Sequence, residues 1–152
     1  MWYAGIDWAT DHHDGLVIDE TGRQVGAIRV EHSPQGMSRL NTFLEQISGS
    51  ESKEQLACII ETTHGLLIAH LWEAGWPVYP VNPRTVDRRR SASGAKTETI
   101  DAYLLAKTGR ADLADLHRLS PESQKIIELK LLTRDQDAVI RMQTRLVTQL
   151  TA

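Results

Sequence analysis

The run Leu56-Ala57-Cys58-Ile59-Ile60, cut off abruptly at Glu61, narrows what this chain can become more than any other feature. An apolar stretch of that length without alternation is the pattern of a strand buried on both faces, in the middle of a sheet covered by helices. The flanking segments supply such a sheet and its covers. Met1 to Asp7 reads as a short strand ending at an acid, and Gly15–Asp19 and Val25–Val30 flank Glu20-Thr21-Gly22-Arg23, which is hairpin-turn chemistry. After Ser33-Pro34, residues Met37, Leu40, Phe43, Leu44 and Ile47 recur at helical spacing, with Pro34 suited to a helix start. Leu66 to Ala74 predicts a second helix with Leu67, Ile68, Leu71 and Trp72 on its apolar face, ended by Gly75. Trp76 to Val81 predicts a further strand.

From Arg84 to Arg90 the pattern suits a basic helix, and Ser91 to Ala95 a small-residue loop. Another helix carries Ile100, Tyr103, Leu104 and Leu105 and is expected to end near Gly109. Past Pro121 a long helix is expected to run to the C-terminus, where no cap or turn closes it, the pattern of a helix cut short. The expected fold is α/β, a three-stranded antiparallel meander followed by crossover helices on a mixed sheet.

With 41% hydrophobic residues in 152, one domain with a sizeable core is the default. No apolar run reaches the roughly 20 residues needed to cross a bilayer, so a soluble, cytoplasmic protein with no membrane partner is expected. The single cysteine, Cys58, sits inside the buried run and reads as a structural thiol. A net charge of −3 does not advertise nucleic-acid binding. Locally the balance reverses: between Arg84 and Lys96, the five basic residues Arg84, Arg88, Arg89, Arg90 and Lys96 face one acid, Asp87. Such a patch is either a solvated helix face or a phosphate-binding surface, and its place beside the small-residue loop favours phosphate.

The acids form a second pattern. If the strands ending at Asp7 and Glu61 are parallel neighbours, both carboxylates emerge at one sheet edge. Glu98 and Asp101, three apart at the start of a helix, project from one helix face. Convergent carboxylates repel unless a hard divalent cation holds them, and a magnesium pair suits in-line phosphoryl transfer. The alternative is that Asp7 and Glu61 are solvated strand ends and Glu98 and Asp101 merely favour a helix N-terminus.

Taken together, Gly5-Ile6-Asp7-Trp8-Ala9, Ile59-Ile60-Glu61-Thr62, His64-Gly65-Leu66-Leu67, Val78 to Arg84, and Ser93 to Thr97 leading into Asp101-Ala102 resemble a known family. It is the N-terminal RuvC-like domain of the insertion-sequence transposases that use a DEDD acid set and a guide (bridge) RNA, together with the Piv-type DNA invertases. The resemblance spans nearly the whole chain, in order. It implies an RNase H-like fold with a long C-terminal helix, residues 1–118 forming the catalytic domain and 119–152 leading to a C-terminal domain with a catalytic serine. It also implies magnesium (or manganese) at Asp7, Glu61, Glu98 and Asp101, DNA and guide RNA as partners, and a dimer or tetramer. At the third acid the family has aspartate where this chain has Glu98, and the extra methylene moves that carboxylate at a site meant to be preorganised.

Asp11-His12-His13-Asp14 holds transition-metal ligand types, but adjacent residues in a turn seldom converge on one ion, so it reads as a polar segment at the hairpin edge, with a contact from His12 or His13 to nucleic acid or a metal-bound phosphate as its functional alternative. His64, just after Glu61, is either a packing residue or a phosphate contact. Trp72 and Trp76 read as packing residues. Three functions follow: a transposase or recombinase domain performing magnesium-dependent phosphoryl transfer on DNA, a stand-alone RuvC-like junction nuclease, and a non-catalytic nucleic-acid-binding or dimerisation module.

Overall fold

Strand alternation decides the architecture. The computed structural model describes residues 1–61, 65–84 and 98–122, of which 98–100 by backbone alone. Five strands, β1 (Trp2–Trp8), β2 (His12–Asp19), β3 (Gln24–Glu31), β4 (Leu56–Glu61) and β5 (Val78–Val81), form one sheet in the order β3-β2-β1-β4-β5. β1, β2 and β3 pair antiparallel; β1, β4 and β5 run parallel. The unalternating run in β4 has the cause expected of it: Leu56, Ala57, Cys58, Ile59 and Ile60 are all fully buried, with strands on both sides. Burial without a charged neighbour also pushes the Cys58 thiol pKa far up, so the thiol is inert packing.

The β2–β3 turn is built on Asp19. Its carboxylate accepts from the Thr21 N–H, the Thr21 hydroxyl and the Arg23 N–H at 2.9, 2.6 and 3.0 Å, and Gly22 takes a left-handed φ of 88°. These bonds hold the Asp19 carboxyl below the usual carboxylate range. Past the turn the register slips between Val17 and Ile18: Ile18 pairs with Gln24 but Val17 with Gly26, leaving Val25 unopposed. Every later β3 residue is therefore moved to the opposite face from the one it would otherwise occupy.

Helix α1 (Pro34–Ser48) begins as the sequence suggests, with the Ser33 hydroxyl accepting from the Gly36 N–H at 3.0 Å and Pro34 in the first turn. It covers one sheet face, where Leu40 meets Gly15 and Phe43 meets Gly26. Helix α2 (Gly65–Glu73) is followed by Gly75 at φ 89°. The other face is covered by α3 (Glu98–Asp112), which packs against β1, β2 and β4. Its Ala102 and Ala106 lie on Leu16 and Ile18, and its Leu104 and Leu105 on Ala57 and Ile59.

Two glycines allow that approach. A Cβ on Gly5 of β1 would overlap the Ala102 carbonyl, and one on Gly109 would overlap the Ile59 side chain. Gly109 is thus a contact point instead of a helix stop, and α3 runs on to Asp112. The two contacts also orient the helix. Gly109 lies beside Tyr3 and Ile59 and Ala102 over Gly5, so α3 runs against β1 and its N-terminus points towards Asp7.

The chain divides into the units Met1–Leu119 and Ser120–Ala152, and the fold above is that of the first. The basic helix expected over 84–90 beyond Arg84, the loop at 91–95, and the long C-terminal helix beyond Glu122 lie outside the described residues. Among the described residues no helix is long and apolar enough to cross a membrane.

Candidate functional site

Because β1 and β4 are parallel and pair Gly5 with Ile59 and Ile6 with Ile60, the next pair in register is Asp7 and Glu61. They stand at the carboxyl ends of adjacent strands, about 4.8 Å apart in the pairing direction. Alternation settles which way they face. Asp7 shares a face with Tyr3 and Gly5, and Glu61 shares one with Ala57 and Ile59; all of these pack against α3. The N-terminal turn of that helix, which points to the same edge, carries Asp101, a half-buried residue. A helix N-terminus also places partial positive charge there.

The row continues across the sheet. Asp7 pairs directly with Asp14 on β2, and Asp14 pairs directly with Arg29 on β3. Asp14 is buried at 8% exposure and accepts a two-pronged bond from Arg29, Nε to Oδ1 at 2.9 Å and Nη2 to Oδ2 at 3.1 Å. A line of charges therefore crosses four strands at one level and on one face: Glu61, Asp7, Asp14, Arg29. Like charges directly opposite one another on a sheet destabilise it. The guanidinium on Asp14 offsets that cost.

Asp14 was hidden in the segment read as a turn. The structure corrects that reading: His12, His13 and Asp14 lie inside β2, with His13 buried on the α1 face and Asp14 on the α3 face. His13 stacks on Trp8 (ring centroids 5.7 Å apart) and bonds His32 ring to ring at 3.0 Å. Trp8, His13, His32, Met37, Leu66 and His70 line a cavity of about 440 Å³ on this reverse face. Trp76 is packed as expected, buried and donating its indole N–H to Asn41 at 2.7 Å.

Among the described residues, no three His, Cys, Asp or Glu side chains stand close enough to form a ready-made metal cage. Asp7 and Glu61 share an edge and a face, Asp101 stands in the N-terminal turn of the helix over that face, and the Glu98 side chain lies outside the described residues. So do His64, Arg88, Arg89, Arg90 and Lys96. Arg84 is exposed, its backbone N–H bonded to the Asn82 side chain at 3.0 Å, just beyond β5.

A family model described as a transposase, of the IS110 DEDD type, matches residues 4–152. The chain is 29% identical over 151 residues to the protein y4uE of Sinorhizobium fredii, which carries a transposase name; the match covers 97% of this chain and 42% of that protein. It is 33% identical over 141 residues to the mini-circle IS117 protein of Streptomyces coelicolor, likewise named as a transposase, covering 90% and 34%. The chain spans less than half the length of these curated relatives. Its fold is similar to Thermus thermophilus RuvC in complex with a Holliday junction substrate, with a TM-score of 0.53 at 19% identity over 78% of this chain and 99% of that one. A second Thermus thermophilus RuvC structure gives 0.50 at 18% identity over 78% and 100%. The five-stranded mixed sheet with flanking helices is thus of the RuvC, RNase H-like type, and the chain belongs to the IS110-type DEDD transposase family.

Proposed function

We propose that this chain is the phosphoryl-transfer domain of its transposase, acting on DNA, with Asp7, Glu61, Glu98 and Asp101 as the residues that hold magnesium or manganese. The observation carrying this reading is the register of β1 and β4, which sets Asp7 and Glu61 side by side on the face whose covering helix brings Asp101 to the same edge. The donors are hard carboxylate oxygens, which suit magnesium. An incomplete cage is also what magnesium asks for. It takes one or two carboxylates and fills its remaining positions with water and substrate phosphate. When bound, the metal supplies charge stabilisation to the attacking and leaving oxygens of the phosphodiester.

The chain's own residues do the rest. Asp7 and Glu61 sit on rigid strand ends, so the strands fix their spacing before any ligand arrives. Arg84, with Arg88, Arg89, Arg90, Lys96 and His64, contacts DNA or guide-RNA phosphates, which sets affinity and register without selecting sequence. Strand joining requires the serine-bearing domain of the longer protein and assembly into a dimer or tetramer. Titrating magnesium and manganese into the protein bound to duplex DNA, followed by calorimetry, tests the metal site. The wild-type chain shows a saturable isotherm that Asp7→Ala abolishes and Glu98→Asp strengthens. Identical isotherms for wild type and Asp7→Ala would leave a non-catalytic nucleic-acid module as the reading. The likeness to a RuvC bound to a Holliday junction favours a second activity, stand-alone junction cleavage, which metal-dependent nicking of a four-way junction by the isolated chain would establish.

A further inference from the structure

We propose that Arg29, held by Asp14, is a phosphate-binding arm of the site, gripping the DNA backbone beside the position where Asp7 and Glu61 act. The proposal rests on the DNA reading above and adds to it a contact on the β3 side of the acids, across the sheet from Arg84 just beyond β5.

Three observations carry it. The first is position: Arg29 stands level with Asp7, two strands away and so about 10 Å across the sheet, on the same α3-covered face. The second is presentation. Asp14 is buried while the Arg29 side chain is 58% exposed, so one partner of the ion pair is fixed inside the fold and the other lies at its surface. A two-pronged carboxylate bond locks the planar guanidinium and removes much of the rotamer freedom an arginine otherwise loses on binding. The third is the cost of the arrangement. Asp14 puts a second carboxylate opposite Asp7, and the β3 bulge is needed to bring Arg29 opposite Asp14 at all. Without the slip at Val17/Ile18, Arg29 would face His13 on the reverse side of the sheet. An exposed cation wanted only for solubility requires neither.

A cleft lined by Asp14, Gly15, Leu16, Ala27, Ile28, Arg29 and Ala102 runs between β2, β3 and α3 at this level, about 280 Å³ in volume. It places the arm beside the N-terminal half of α3, where Asp101 lies. DNA reaching the acids between α3 and the edge of the sheet thus passes Arg29 on one side. The chemical class of ligand is a phosphodiester oxygen, to which a planar guanidinium held along one edge by Asp14 presents its outward N–H groups in a fixed direction, as a lysine ammonium does not.

The test uses the 152-residue chain, a fluorescein-labelled duplex, and anisotropy titrations over a range of salt concentrations. One phosphate contact contributes about 0.9 to the slope of log affinity against log salt, so Arg29→Gln binds about eightfold more weakly at 0.1 M salt and lowers the slope by about one. Arg29→Lys separates geometry from charge. It keeps the charge, and with it the salt slope, but loses the fixed planar donors, so it binds more weakly than wild type if the arm acts as described. Asp14→Asn sharpens the distinction, because it removes a negative charge: a pure field effect tightens DNA binding, whereas loss of the fixed arm weakens it. Arg23→Gln, at the far turn of the hairpin, serves as the neutral control, and thermal melts confirm that each variant is folded. Wild-type affinity in Arg29→Lys, or tighter binding by Asp14→Asn, overturns the proposal while leaving the metal reading intact. Failure of the wild-type chain to bind the duplex overturns both. Retained magnesium binding in Arg29→Lys shows that the arm and the metal site fail separately.

Discussion

Replacing Gly5 by alanine tests whether the closeness of β1 and α3 is what assembles the site. A Cβ there would overlap the Ala102 carbonyl and lie 2.6 Å from the Ala106 backbone nitrogen. Ordinary contact begins at about 3.5 Å, so α3 must lift by roughly 1 Å. The obstacle is helix backbone instead of a flexible side-chain end, which places the cost near the top of the usual overpacking range, about 3 kcal/mol. For a domain of this size that lowers Tm by roughly 6–12 °C. The same movement carries Asp101 away from Asp7, and a displacement of about 1 Å at a catalytic site reduces rate by on the order of a hundredfold. Gly15→Ala is the matched control, since its Cβ would meet only the ends of Ile28 and Leu40 at 3.3 and 3.4 Å. Differential scanning calorimetry and metal-dependent DNA nicking read the two consequences. Wild-type melting and wild-type nicking in Gly5→Ala would refute the reasoning.

Ser33→Ala removes the α1 cap and costs about 1 kcal/mol, seen as a fall of roughly 2–4 °C in Tm. Cys58 stays unreactive towards a thiol reagent under native conditions and reacts only as fast as the domain unfolds; rapid labelling of the folded chain would contradict its burial. The Asp19 carboxyl is held below its unfolded value by the turn hydrogen bonds. Its contribution is therefore present above the unfolded value and is lost as pH falls through the folded one. Asp19→Ala lowers stability at pH 7 and flattens the acid limb of a denaturation series below about pH 4.

Much of this fold is legible in the sequence because burial writes itself into patterning. β4 is an unbroken apolar run because strands flank it, and Pro34 marks the start of α1. Asp7 and Glu61 are legible as strand-ending acids, and parallel pairing brings them together. What the sequence hides depends on register and on distance between elements. Asp14 looks like part of a turn because its neighbours are polar, yet the bulge at Val25 and the hairpin length decide which residue faces it. Gly109 looks like a helix stop, but close packing on Ile59 explains it, and no local signal distinguishes the two. The Trp8-His13-His32 cluster is invisible for the same reason, assembled from two strands and the turn before α1.

The most direct test of the central claim is paramagnetic. With manganese added to the DNA-bound chain, amide NMR signals of Asp7, Glu61 and Asp101 broaden beyond detection, while those of Gly22 and Gly49 remain sharp. Sharp signals at Asp7 and Glu61 under saturating manganese would mean that the acids at the sheet edge hold no metal.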